Sequence, residues 1–285
     1  MVADLSPPTM RLALLSPIHG QSIDHIARQL ENYRVFLAPF ELSHYFHVSL
    51  ESYPELQSDL AAFAEREGHS IVFTQHRRAT WRYCTADALS ELIKSALIDP
   101  SEHDAVLIHT DADLLFSSKI KTSILTRMVH CGEKKFKTRT KWKWIKHSLS
   151  DPRIKTFTDR YFEGNFNNLS RGRVCGSLIP WNIFEKFSNI YLAAFDNNYF
   201  ESTTKTQWPL TEVSIPTILR MITGDDQHFL PPLITAPKKK LITVRDIKRA
   251  LKQGDSFGLK KISRDTDSDA FRYLMRLQAQ AAQEA

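Results

Sequence analysis

Short apolar runs alternate with longer amphipathic stretches from Arg11 to Ser118. "RLALLSPIHG" (Arg11 to Gly20) is an apolar run broken by Pro17 and Gly20, which predicts a buried strand. "SIDHIARQLENY" follows with apolar positions at Ile23, Ile26, Ala27 and Leu30, the spacing of one helix face. The pattern then repeats. "SHYFHVSL" (Ser43 to Leu50) and "HSIVFTQ" (His69 to Gln75) read as strands, "YPELQSDLAAFAERE" and "ADALSELIKSAL" (Ala86 to Leu97) as helices, and "AVLIHTDADLLFSS" (Ala105 to Ser118) as the next strand. Strands that are apolar throughout and alternate with helices predict an α/β fold, a mostly parallel sheet with helices on both faces. In such open sheets ligands bind beyond the carboxyl ends of the strands.

The second half is less regular. No periodicity is evident from Gly132 to Arg173, and long irregular stretches inside a compact domain are usually functional or disordered. "EGNFNNLSRGRVCGS" (Glu163 to Ser177) reads as a polar loop leading into a helix at "IPWNIFEKFSNIYLAAF". A further helix is predicted over Glu212 to Ile222, with Pro216 drawing its start close to itself. "TVRDIKRALKQG" is a helix opened by Thr243 and closed by Gly254, and the tail from Ser268 is a terminal helix. With no repeat and no linker, residues 1–285 are expected to form a single domain.

A hydrophobic content of 42% supports a sizeable core. No run of about 18 apolar residues occurs, and the opening lacks the features of a signal peptide, so a cytoplasmic location is expected. Cys84, Cys131 and Cys175 are odd in number and far apart, which suits reduced thiols without a catalytic task.

The formal charge of +6 is concentrated in "EKKFKTRTKWKWIKH" (Glu133 to His147) and "PKKKLITVRDIKRALK" (Pro237 to Lys252). The first cluster interleaves Trp142 and Trp144 with Lys137, Arg139, Lys141, Lys143 and Lys146. It reads as a solvated face, as a peripheral contact with an anionic membrane spanning Lys134 to His147, or as a grip on a phosphate-bearing or acidic acceptor. No nucleic-acid-binding signature accompanies the charge, so no nucleic acid partner is expected.

Asp111 and Asp113 follow a buried strand. Carboxylates so placed need a cation, hydrogen-bond donors or an open cleft, and the Asp-x-Asp arrangement suits Mg²⁺ or Mn²⁺ bound to a diphosphate. Turn formation and capping are the plain alternative. The chain has no phosphate-binding glycine loop, no dinucleotide fingerprint and no nucleophile elbow. Lys239, Lys240, Lys260 and Lys261 are candidates to hold a diphosphate, with or without metal. Glu212 is either a general base or an acidic residue complementing a helix N-terminus. "GDDQHF" brings His228 as a metal or phosphate ligand or a surface turn, and His19, His47, His76 and His109 fall at or just beyond strand ends.

The order of these motifs resembles the core 2/I-branching N-acetylglucosaminyltransferase and peptide O-xylosyltransferase family. "RLALLSPIHGQSIDHIARQLE", "YFHVSLES", the run from "VFTQHRRATW" to "LIHTDADLLFSS", "VCGSLIPWNIFEKF", "LTEVSIPTIL" and "TVRDIKRALKQGDSFGLKKI" carry the likeness over nearly the whole chain. The resemblance implies a GT-A-like, Rossmann-type sandwich and an inverting transfer from a UDP-sugar to a glycan or lipid-linked glycan hydroxyl. Residues 10–130 would form the nucleotide-sugar half and residues 131–285 the acceptor and catalytic half. By position, Glu212 corresponds to the base and Lys260, beside Lys261, to the diphosphate lysine. Arg77 or Arg78 corresponds to the basic residue before the tryptophan, and Gly176, Ser177 and Trp181 to the acceptor-side segment. Ser16, His19, His47, Arg78, Asp111 and Asp113 would line the donor pocket. Branching members of the family work without metal, whereas the added Asp111 restores a possible Mn²⁺ or Mg²⁺ site. A bacterial enzyme of surface polysaccharide synthesis at the inner membrane face fits this reading. The rival readings are a metal-dependent nucleotidyl- or phosphotransferase and a non-catalytic protein that binds an anionic polymer or membrane surface.

Overall fold

The computed structural model describes residues 9–80, 85–99, 102–196, 208–224, 229–238 and 241–284. Strands β1 (Arg11–Ile18), β2 (Glu41–Val48), β3 (Ser70–Phe73) and β4 (Ala105–Ile108) alternate with helices α1 (Ile23–Leu37), α2 (Leu56–Glu67) and α3 (Ala86–Ile98). A fifth strand, β8 (Ser177–Pro180), completes a sheet of order β3-β2-β1-β4-β8, in which only the β4–β8 pairing is antiparallel. The expected α/β fold with a mostly parallel sheet is therefore present.

Alternation of side chains across the sheet divides the core into layers. Ala13 and Leu15 of β1 and Val106 and Ile108 of β4 point into one layer with α3, α7 (Trp181–Phe195) and α8 (Thr211–Thr223). Leu12, Leu14, Ala105 and Leu107 point into the other with α1, α4 (Ile120–Leu125), α9 (Val244–Gln253) and α10 (Asp269–Gln283). Both faces are apolar because both are covered. Pro17 lies inside β1, but β4 pairs only as far as Leu15, so the missing N–H faces no strand.

Four expectations need correction. The apolar run after β4 is not one strand: it breaks at the aspartates, and β5 (Asp113–Leu115) joins a separate small sheet with β10 (Gly258–Lys260) and β9 (Ile234–Thr235). Residues 132–173 are not irregular throughout, since they hold a two-stranded ladder of β6 (Lys134–Lys135) and β7 (Ser170–Arg171), α5 (Ile145–Ser150) and α6 (Pro152–Phe162). Asp151 caps α6 by accepting from Arg153 N–H, with Pro152 at the first helical position. "SLIP", expected to lead straight into a helix, is strand β8. Helix α8 begins at Thr211 rather than near Pro216, which sits inside it.

The helix after Thr243 has its expected ends. Thr243 and Asp246 form a capping box, Gly254 closes α9, and Ser268 caps α10. Among the described residues no helix is long and apolar enough to cross a membrane.

Candidate active site

The chain passes from β1 through α1 to β2 on one side of the sheet, while β4 lies on the other side of β1. The crevice of an open sheet forms where the order reverses, here beyond the ends of β1 and β4. Gly20 and His19 follow β1, and Thr110 to Asp113 follow β4. His19 N–H donates to Asp111 Oδ2 at 2.8 Å and so joins the loops that follow β1 and β4.

The two aspartates differ. Asp113 is fully buried, and protein donors surround its carboxylate. Oδ1 accepts from Tyr33 Oη at 2.7 Å and Gln29 Nε2 at 2.9 Å, and lies 3.5 Å from His109 Nδ1. Oδ2 accepts from Thr110 N–H at 2.9 Å, Thr110 Oγ1 at 3.1 Å and the Cys175 thiol at 3.3 Å. Burial alone would raise its pKa, but the His109 and Tyr33 contacts and the Lys260 charge outweigh it and hold the carboxyl well below the usual range. Protein donors thus face both oxygens of Asp113, and its carboxylate braces the turn. The backbone of that turn is clamped from outside, because His25 Nε2 bonds Asp111 O at 2.9 Å and the buried Arg264 donates to Asp111 O at 3.3 Å and Asp113 O at 3.1 Å.

Asp111 is nearly buried, yet only Oδ2 has a hydrogen bond among the described residues. Burial raises its pKa, against the His19 N–H and the charges of Lys260 and Arg264. No group of three or more His, Cys, Asp or Glu side chains among the described residues could hold a metal ion. With protein donors on both oxygens of Asp113, the Asp-x-Asp pair does not fit a two-carboxylate cation clamp.

Lys260 stands opposite Asp113 in the β10–β5 ladder. Its positive charge favours the ionised forms of Asp111, Asp113 and Glu212. Glu212 lies in the first turn of α8, half-buried, and its side chain has no hydrogen bond among the described residues. Burial pushes its carboxyl above the usual range, opposed in order by Arg173, Lys143, Lys260 and Arg171.

Pro216 fixes this arrangement. In a helix Glu212 O would accept from the N–H four residues on, but that residue is Pro216 and has none. Gly172 N–H takes the vacancy at 2.7 Å and ties the loop carrying Arg171 and Arg173 to the turn carrying Glu212. The approach is close: a Cβ on Gly172 would lie 1.6 Å from Gly132 O.

On the donor side the predicted residues divide. His19 is about half exposed (48%), bonds Thr80 Oγ1 at 3.2 Å and lies 3.9 Å from Glu51 Oε2. Glu51 accepts from Ser49 Oγ and Thr80 N–H, and these hydrogen bonds lower its pKa despite partial burial. His47 is fully buried; its Nε2 accepts from Arg78 N–H at 2.8 Å, and burial drops its pKa to about 4. The Arg78 guanidinium turns to the buried Glu91 at 3.1 Å, and Arg77 donates to Val48 O and Ser49 O. Ser16 is fully buried inside β1. His47 and Arg78 are thus bonded to protein groups beside the end of β1.

The residues of the acceptor-side segment lie apart from one another. β8 runs antiparallel to β4, so Ser177 is level with Ile108 at the crevice end and Pro180 with Ala105 at the opposite end. Trp181, next in the chain, bonds Asp104 O through its N–H and packs edge-on to His103 at 5.2 Å. It lines a separate cavity of about 440 Å³ with His103, Asp104 and Arg127 and is remote from the crevice. Ser177 is fully buried. Gly176 is a structural glycine: its φ is +80°, and a Cβ there would meet Ile234 N at 2.2 Å. Lys261 donates from its amine to Pro237 O at 3.4 Å. His76 is exposed and His109 buried. Trp81, Arg82, Cys84, Lys239, Lys240 and His228 lie outside the described residues.

The sequence reading missed Gln29, Tyr33, Glu51, Thr80, Arg171, Arg173 and Arg264. Arg171 and Arg173 carry the clearest signal, "SRGRV", a doublet of arginines around a glycine in a stretch without periodicity.

No family model matches the chain, and no curated protein matches it. Among solved structures it is similar to the galactosyltransferase LgtC in complex with donor and acceptor sugar analogues, and to an active-site mutant of LgtC. Each match covers 95% of this chain and 96% of the other at 10% sequence identity, with a TM-score of 0.47.

Proposed function

We propose that this chain is a glycosyltransferase that moves a sugar from a nucleoside diphosphate sugar, UDP by its motif resemblance, to a hydroxyl of a glycan acceptor with inversion. The observation that carries the reading is Glu212: a half-buried carboxylate without a hydrogen bond among the described residues, raised in pKa by burial, and sharing Lys260 with the Asp111 turn at the switch point. A carboxylate made more basic by burial suits proton removal near neutral pH. It accepts the acceptor proton as the oxygen bonds the anomeric carbon. The bond from that carbon to the diphosphate breaks, and the charge left on the diphosphate falls to Lys260. His19, Glu51 and Thr80 form the wall beside Asp111 where the nucleoside would rest.

The Asp113 carboxylate is committed to the fold, so no step is routed through a metal. The rival reading as a metal-dependent phosphotransferase loses the paired ligands on which it stood. Role at a bacterial surface polysaccharide rests on the motif resemblance alone.

Two measurements test the reading. Glu212→Gln should leave UDP binding intact by calorimetry and lower kcat by about 10²- to 10⁴-fold; wild-type turnover removes Glu212 as the base. Excess EDTA should leave transfer undiminished. A loss restored by Mn²⁺ would return Asp111 to the role of metal ligand.

A further inference from the structure

We infer that the acceptor is an anionic glycan, bearing phosphate or carboxylate groups, gripped by the cationic strip from Lys134 to Lys146; the inference rests on the transferase reading of Glu212. From residue 134 to residue 150 the chain has Lys134, Lys135, Lys137, Arg139, Lys141, Lys143 and Lys146 and no Asp or Glu. All seven side chains are exposed. Glu133, at the head of the strip, is taken up by Arg220 and Ser170.

The strip is also fixed in place beside Glu212. Lys134 pairs with Arg171 and Lys135 with Ser170 in the β6–β7 ladder, and Phe136 N–H bonds Leu169 O at 3.0 Å. The residue after β7, Gly172, is the one bonded to Glu212 O. Arg171 and Arg173 on this loop, and Lys143 on the strip, all act on the Glu212 carboxylate. The positive field thus continues from the strip to the group that would meet the acceptor hydroxyl, and a bound anion would extend along it.

The strip's apolar residues favour a glycan over a bilayer. Phe136 is buried, and Trp142 packs edge-on to it at 6.3 Å with the Arg171 guanidinium over its ring at 5.3 Å. Trp144 is covered by Lys143 at 4.4 Å and meets the His147 ring at 5.3 Å. The large exposed hydrophobics among the described residues, such as Leu50, Ile98, Leu125 and Leu241, all lie outside the strip. Interfacial anchoring buries an apolar face in the acyl boundary, and here that face is already used.

The test is a binding titration of the full chain with a sulfated heparin hexasaccharide and with neutral maltohexaose. The expected result is binding of the sulfated probe alone, weakening steeply with salt. The variant carrying Lys134→Gln, Lys137→Gln, Arg139→Gln and Lys141→Gln should bind the sulfated probe at least tenfold more weakly, with its melting temperature and UDP affinity unchanged. Equal binding of maltohexaose overturns the proposal. So does capture by phosphatidylglycerol vesicles or by an oligonucleotide without binding of the sulfated probe. Absent UDP binding would instead remove the donor-site reading and leave the polyanion result standing.

Discussion

Asp113 loses its water and keeps its charge because Tyr33, Gln29, Thr110 and Cys175 donate to it. Asp111, two positions earlier, keeps one carboxylate oxygen without such a donor among the described residues. The sequence marked the pair but could not tell its members apart, since the donors that distinguish them come from α1 and the loop before β8, 62 to 84 residues away. His47 carries a consequence for pH. Burial drops its pKa from 6.5 to about 4, so between those values the unfolded chain binds the proton and the folded chain does not. Stability is then fully present above the unfolded value and is lost as pH falls toward 4, by about 2 kcal/mol at pH 5 from this residue. His25, also held near 4, adds in the same direction. Melting temperatures at pH 7 and pH 5 should differ by several degrees, and His47→Gln should reduce that difference. An unchanged difference would remove His47 as its source.

Within α8, the proline that argued for a late start belongs to an intact helix because Gly172 supplies the hydrogen bond it cannot. No local rule predicts a donor 40 residues upstream, which is why the boundary was misread. The segment before it was opaque for a related reason: α5 has six residues and α6 eleven, too few turns for periodicity to stand out, and α6 depends on a single capping aspartate. Gly172→Ala tests the coupling between loop and helix. Its Cβ would meet backbone at 1.6 Å and 2.2 Å, so the two glycine loops must part. The expected cost is about 1–3 kcal/mol of stability together with a fall in kcat at unchanged UDP affinity. An unchanged kcat would show that this tie does not position Glu212.

Across the whole molecule, the alternation of strands and helices was readable to within a few residues, and with it the crevice at the carboxyl ends. The small sheet was not, because β5, β10 and β9 have three, three and two residues. Antiparallel β8 likewise hid inside an apolar run, and that one reversal of direction carries Trp181 to the far end of the sheet. Trp181→Ala should therefore lower the melting temperature through lost packing on His103 and Phe184 while leaving acceptor KM unchanged. A raised KM would return it to the acceptor site. The clamp on the Asp111 turn carries one more consequence, for how the molecule folds. Arg264 reaches back 151 residues to Asp113 O, and Arg28 reaches forward 236 residues to Arg264 O. Contacts of such sequence separation form slowly because a long loop must close before they contribute. The pairings of β1 to β4 all lie within the first half of the chain, whereas the clamp on the Asp111 turn needs Arg264, so during synthesis the contacts that complete the site are among the last to become available.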